Sequence, residues 1–153
     1  MGRAAGGWLR ALAVVVAVVA LDQAAKALLR AHLGIGDRQD LILGIELVHV
    51  RNRGIAFGLL PGRGTVLTVL TFTALAVLIA YFAFHSSRRL LWLPTGLLLG
   101  GAIGNLIDRA RLGAVTDFID PPLWPAFNVA DTAITIGVLA LLVALDLARE
   151  GEA

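Results

Sequence analysis

Apolar residues along this chain come in four long runs. The first extends from Leu9 to Leu21 and, past two charges, on through Leu29; the others cover Thr65 to Phe84, Leu90 to Ile107 and Phe127 to Leu147. About twenty predominantly apolar residues in a helix cross a hydrocarbon core about 30 Å thick. The pattern predicts an all-α integral membrane protein, a single membrane domain over residues 1–153, with transmembrane helices at 9–29, 65–84, 90–109 and 127–148. The first run also has the length of a signal-peptide core. It continues beyond Asp22 and Lys26 through Ala24, Ala25, Ala27, Leu28 and Leu29, which fits a spanning helix better than a cleaved leader.

The polar stretches between the runs set the topology. Residues 30–64 hold an aliphatic run from Leu41 to Val50, the turn-like Arg51-Asn52-Arg53-Gly54 and a second run from Ile55 to Leu60, closed by Pro61-Gly62. This predicts a small β hairpin or sheet, too short to hold a core of its own and so resting on the membrane surface or the helix ends. His49, inside the first run, reads as an ordinary sheet residue. His85-Ser86-Ser87-Arg88-Arg89 is a short hinge, and residues 109–125 are a loop. Four spans put both termini on the side of that hinge, and Arg88 and Arg89, with Arg3, Arg10 and Arg149, assign it to the cytoplasm. Arg30, Arg38, Arg51, Arg53 and Arg63 run against this count, in the segment placed outside. Thr65, Thr68, Thr71 and Thr73 read as helix-packing residues, and Asp146 with Arg149 as an interfacial pair.

Composition agrees with the pattern: 58% of residues are hydrophobic and the mean hydropathy is +0.84, more apolar surface than a soluble domain of this size can bury. The net charge of +2 comes from scattered arginines and one lysine, Lys26, with no basic tract or aromatic platform for nucleic acid. With no cysteine, disulfides, thiolate metal sites and a cysteine nucleophile are excluded.

Ionisable groups in apolar helices then need an explanation. Asp108 ends the third run, roughly 25 Å along a helix from Leu91, and Asp131 begins the fourth, so two spanning helices bring both carboxylates to the same depth. Asp22 and Lys26, four apart, share a face of the first helix, where a pair costs less in hydrocarbon than either charge alone; they read as a structural ion pair or as support for the site. Gly100, Gly104 and Asp108 share a face with Gly101 and Asn105 beside it, and Asn128, Asp131, Thr132 and Thr135 share another, predicting a polar pocket between close-packed helices. Ser86 and Ser87 are the only serines and sit in the hinge, while the three histidines form no zinc-binding arrangement. Carboxylate acid–base chemistry remains, one aspartate keeping a proton while the other takes one from water. An ion or proton carrier and a non-catalytic scaffold are the rival readings. Both aspartates lie at one interface, and no inverted repeat is visible.

The motifs Asp22-Gln23-x-x-Lys26, Asn52-x-Gly54-x-Ala56-Phe57-Gly58, Gly100-Gly101-x-x-Gly104-Asn105-x-x-Asp108-Arg109, Val115-x-Asp117-Phe118 and Phe127-Asn128-x-Ala130-Asp131 occur in the order found in bacterial lipoprotein signal peptidases. The chain resembles that family, signal peptidase II, over nearly its full length. The resemblance implies an aspartic endopeptidase of the bacterial inner membrane that cuts before a diacylglyceryl-modified cysteine in prolipoproteins, with Asp108 and Asp131 as the catalytic pair. It implies that Asn52, Asn105, Arg109 and Asn128 line the site, with Asp22, Lys26, Gly54, Gly101, Asp117 and Ala130 in support, and that the outer segment forms a cradle over it. No cofactor or metal is expected, and the partners are lipidated prolipoprotein and membrane lipid. The oligomeric state is left open, a monomer being sufficient. Ala25 departs from the serine or threonine that often precedes the lysine, which touches only a local hydrogen bond.

Overall fold

In a computed structural model of the chain, the structure describes residues 2–53, 64–86, 88 and 90–150. Gly54, the run Ile55–Leu60, Pro61-Gly62, Ser87, Arg89 and the side chains of Thr65, Thr68, Thr71 and Arg149 lie outside the described residues, so the expectations resting on them stand as sequence readings.

The chain order is α1 (Arg3–His32), β1 (Arg38–Ile42), β2 (Ile45–Asn52), α2 (Gly64–His85), α3 (Trp92–Leu112), β3 (Val115–Asp120) and α4 (Val129–Glu150). The helices match the four apolar runs and all end beyond them, although α3 and α4 begin two residues after their runs do. The first begins six residues before Leu9 and ends three after Leu29, because helical backbone continues into the flanking polar residues wherever nothing breaks it. Ala4–His32 and Val129–Leu147 are long and apolar enough to cross a membrane, and only 17% and 22% of their most apolar stretches are buried in the protein. Helices this apolar and this exposed need a solvent other than water.

The fold is mostly helical but not all-α, since a three-stranded antiparallel sheet in the order β1-β2-β3 stands at one end of the bundle. Two expectations are corrected here. Among the described residues the hairpin turns at Leu43-Gly44, inside the aliphatic run, and Arg51 and Asn52, read as turn residues, lie in β2; both residues of the Leu43-Gly44 turn have positive φ, 53° and 78°, the geometry that suits a two-residue hairpin. The predicted loop after α3 supplies the third strand, Asn52 pairing with Val115 and Glu46 with Asp120. That strand has few alternating positions to announce it and is recruited by the free edge of β2.

Helix α3 packs on both α1 and α4, and its glycines explain the closeness. A Cβ on Gly96 would lie 2.6 Å from Val14 Cβ, one on Gly100 2.8 Å from Val18 Cβ, and one on Gly101 would run into the carbonyl oxygen of Ala130. The spacing Gly96, Gly100, Gly104 is one face turned to α1, while Gly101 is turned to α4. At the other end of the bundle, Ala11, Phe82, Leu91 and Ala144 form an apolar cluster, with Tyr81 and Trp92 packed on it.

Candidate active site

Four aspartates from four elements meet where α1, α3 and α4 reach the sheet: Asp22, Asp108, Asp117 and Asp131. Each is placed by a local rule. Asp22, Lys26 and Arg30 follow at intervals of four along one face of α1. Asp131 is fixed by a capping box at the start of α4, its N–H donating to Asn128 Oδ1 at 2.9 Å while Asn128 N–H donates to Asp131 Oδ2 at 3.3 Å. Asp22 reaches across from α1 to accept the Ala130 N–H at 2.9 Å, a second anion at the positive end of α4. Gly113, at φ 69°, ends α3 in a left-handed cap and turns the chain into β3, which carries Thr116 and Asp117 back over the site.

The carboxylates divide into two kinds by what holds them. Asp22 and Asp108 share a cation. Lys26 Nζ lies 2.9 Å from Asp22 Oδ2 and 3.3 Å from Asp108 Oδ2, and donates to Asn105 Oδ1 at 3.1 Å, which uses all three ammonium protons. Asp108 also accepts the Thr116 N–H at 2.9 Å and the Gln23 amide at 3.3 Å, and lies 3.8 Å from Arg30 Nη1. Lys26 and Asp22 are 0% exposed and Asp108 1%, so this is a buried cluster held by an ion pair; Asp117, at 2%, is as deeply buried.

Asp117 and Asp131 are held by amides instead. Asn52 Nδ2 donates to Asp117 Oδ2 at 2.9 Å, Asn128 Nδ2 to Asp117 Oδ1 at 2.8 Å, and Asn105 Nδ2 to Asp131 Oδ1 at 2.8 Å. Asn128 serves both carboxylates, one through its side chain and one through its backbone. Burial raises the Asp117 pKa to about 6; the Asn52 hydrogen bond opposes this, and the charge of Asp131 adds to it. Asp117 and Asp131 therefore sense each other electrostatically. Asp131 is half-buried, and Arg109, also half-buried, lies in the field of Asp131, Asp117 and Asp108.

Asp22, Lys26, Asn52, Asn105, Asp108, Asp117, Asn128, Asp131 and the Ala130 N–H thus form one connected network, with Arg109 beside it. Gly101 contributes by letting α3 approach the Ala130 carbonyl, not by touching a charge. Asp22 and Lys26 are the expected ion pair, but the lysine is shared with Asp108, which no helix periodicity could reveal. Three contributors were not anticipated. Arg30, donating to Thr116 Oγ1 at 3.2 Å, is legible afterwards as the next residue on the Asp22-Lys26 face. Gln23 bonds Asp22, Asp108 and the Gly104 carbonyl. Thr116 acts through its backbone N–H, which leaves no signal in a sequence. Among the described residues, no group of three or more acidic, histidine or cysteine side chains is arranged to hold a metal ion.

An apolar bundle closed at one end by a buried polar network under a small sheet suggests a membrane protein. Comparison with known proteins makes the class specific. The family model for signal peptidase (SPase) II matches residues 14–147. The chain is 40% identical over 133 residues to the lipoprotein signal peptidase of Halothermothrix orenii, covering 86% of this chain and 92% of that one. It is 43% identical over 136 residues to that of Syntrophomonas wolfei, covering 87% and 91%. A solved structure described as a bacterial membrane enzyme superposes with a TM-score of 0.84 at 32% identity, covering 94% of this chain and 91% of that one. The chain belongs to the signal peptidase II family, and with it to the peptidases.

Proposed function

We propose that this chain is an intramembrane aspartic endopeptidase that removes signal peptides from diacylglyceryl-modified bacterial prolipoproteins, cutting before the lipidated cysteine. The observation that carries the reading is the division of the carboxylates. An aspartic mechanism needs two carboxyl groups that share a proton, one taking a proton from water as it attacks the scissile carbonyl, the other giving a hydrogen bond or proton to the carbonyl oxygen. The pair suited to this is Asp117 with Asp131. The resemblance pointed to Asp108 as the partner of Asp131; the geometry favours a scaffold role for it, since Asp108 lies 3.3 Å from Lys26 Nζ and already accepts the Thr116 N–H and the Gln23 amide. Asp117, with its pKa raised to about 6, takes up a proton more readily than an ordinary carboxylate, as the acid of such a pair must. Asn52, Asn105 and Asn128 keep the two carboxylates oriented without neutralising them. Arg109 offers a positive charge to the developing oxyanion. Asp108, Asp22 and Lys26 serve as the scaffold that ties α1, α3 and α4 together.

A substrate whose acyl chains lie in lipid and whose scissile bond lies near the headgroups suits this placement, since the half-buried Asp131 is open to water while the chains stay in hydrocarbon. A crevice of about 630 Å³ between α2, α3 and α4 is lined by Leu75, Leu78, Leu98, Ala102, Ile134 and Leu141 among others. Ala102 and Ile134 stand one turn from Asn105 and Asp131, so an apolar chain resting there would end at the polar network. We read the chain as one domain with four spanning helices in the bacterial inner membrane, both termini in the cytoplasm and the sheet outside. Trp8, Tyr81 and Trp92 gather at the inner end of the bundle and Trp124 at the outer, as aromatic residues do at the two interfaces of a bilayer. Incubation of the purified protein with a lipidated and an unlipidated prolipoprotein tests the reading: cleavage of the lipidated form alone supports it, and equal cleavage of both, or of neither, overturns it.

A further inference from the structure

Two loops at the far end of the sheet expose apolar side chains to solvent. Leu43, at φ 53° in the β1–β2 turn, is 89% exposed, and Leu123, at φ 67° in the loop after β3, is 103% exposed. A leucine in left-handed backbone is strained where glycine or asparagine would sit at ease, and full exposure to water adds a second cost. The two tips adjoin, since a Cβ on Gly44 would lie 3.8 Å from Pro122 Cγ. Beside them Leu41, Ile42 and Trp124 are 55%, 68% and 62% exposed. The Ile119–Phe127 bridge closes the second loop, so Leu123 and Trp124 project from a tight excursion that starts and ends next to α4.

We propose that Leu43, Leu123 and Trp124 form a shallow hydrophobic anchor that seats the sheet in the outer lipid leaflet. The proposal rests on the topology read above and adds to it the means by which the sheet is held over the site. Three observations select lipid as the occupant. Trp124 lies five residues before α4 begins its apolar run, so the tips stand at the level where a spanning α4 enters the bilayer. Side chains of this kind, two leucines and a tryptophan, partition to the boundary between headgroups and acyl chains. Under the tips, Arg38 is already paired with Glu46 at 2.6 Å and Asp120 at 3.0 Å, which leaves an acidic base that stops insertion at the tips and gives no attraction to anionic lipid. From Asp117 to Asp120 along β3 is about 10 Å, so the anchor would fix the height of Asp117 above the membrane through one short strand.

The test uses the full-length Trp8→Phe/Trp92→Phe protein in phosphatidylcholine vesicles without substrate, leaving Trp124 as the reporter. Lipid brominated near the carbonyl end of its chains should quench Trp124 emission about twofold or more, iodide should quench it little, and adding phosphatidylglycerol should change neither. Adding Leu43→Asp and Leu123→Asp should abolish quenching by the lipid and restore quenching by iodide. Because the chain has no cysteine, Leu123→Cys carrying an environment-sensitive dye repeats the measurement with all tryptophans kept. Iodide quenching without lipid quenching, a dependence on anionic lipid, or shielding that appears only on self-association or on adding substrate each overturns the proposal. A Cys at Gln39 that labels from the cytoplasmic side would instead overturn the topology.

Discussion

Neutralising the four aspartates one at a time should separate chemistry from scaffold. In Asp117→Asn the acid is lost while the shape stays. Asp117 accepts one amide N–H on each oxygen, so an asparagine keeps one bond and turns the other into two facing donors, at a cost of about 1–3 kcal/mol. Against that stands the burial of its charge. A pKa raised from 3.8 to about 6 corresponds to about 3 kcal/mol carried by the folded state at neutral pH, which the substitution removes. The two effects nearly cancel, so the variant should fold and melt close to wild type. Turnover should fall about a thousandfold or more, on the order of 4 kcal/mol of barrier. Asp131→Asn should match it, and the double variant should be scarcely slower than either, because two groups sharing one proton act as a unit. Asp108→Asn should show the reverse: a lower melting temperature, and turnover per folded molecule within about tenfold of wild type. The assay is cleavage of a lipidated prolipoprotein by detergent-purified variants matched for folded fraction. A folded Asp108→Asn that is inactive beside an Asp117→Asn retaining more than about a tenth of turnover would refute the reasoning and restore Asp108 to the dyad.

The raised Asp117 pKa also sets a pH dependence. The folded state binds this proton more tightly than the unfolded chain does, so no cost is present below about pH 4, and the cost grows as pH rises to about 6 and is then constant. The melting temperature of Asp117→Asn minus that of wild type should therefore increase from pH 4 to pH 6 and level off above, and a flat difference would contradict the shift. Lys26→Met leaves Asp22 and Asp108 buried without their cation and should cost about 3–5 kcal/mol in denaturant unfolding, more than Asp22→Asn, in which Lys26 keeps Asp108. Gly101→Ala drives a methyl into the Ala130 carbonyl and should lower both stability and turnover, whereas Gly6→Ala, with nothing within 4 Å, should change neither. A cysteine at Gln39 should react with an impermeant thiol reagent added outside intact cells, and one at Arg88 should not; the reverse pattern would put the site on the cytoplasmic side.

Much of this protein is legible in its order of residues. Apolar runs of about twenty residues reveal the helices because hydrocarbon imposes one length and one backbone solution on whatever crosses it. Glycines at intervals of four on α3 foretell a close helix contact, and the aspartates at helix ends foretell a polar cluster, because both follow from the helical period. Period says which residues share a face but not what that face meets. That Lys26 is shared with Asp108, 82 positions away, that a loop supplies β3, and that Asn128 reaches Asp117, 11 positions away, as well as Asp131 are set by how three helices and a sheet close on one another. The choice between Asp108 and Asp117 belongs to that level. In sequence the two are alike, acids beside a predicted pocket; only the packed structure gives one an ammonium group and the other two amides, because which donors meet a carboxylate depends on how the elements pack.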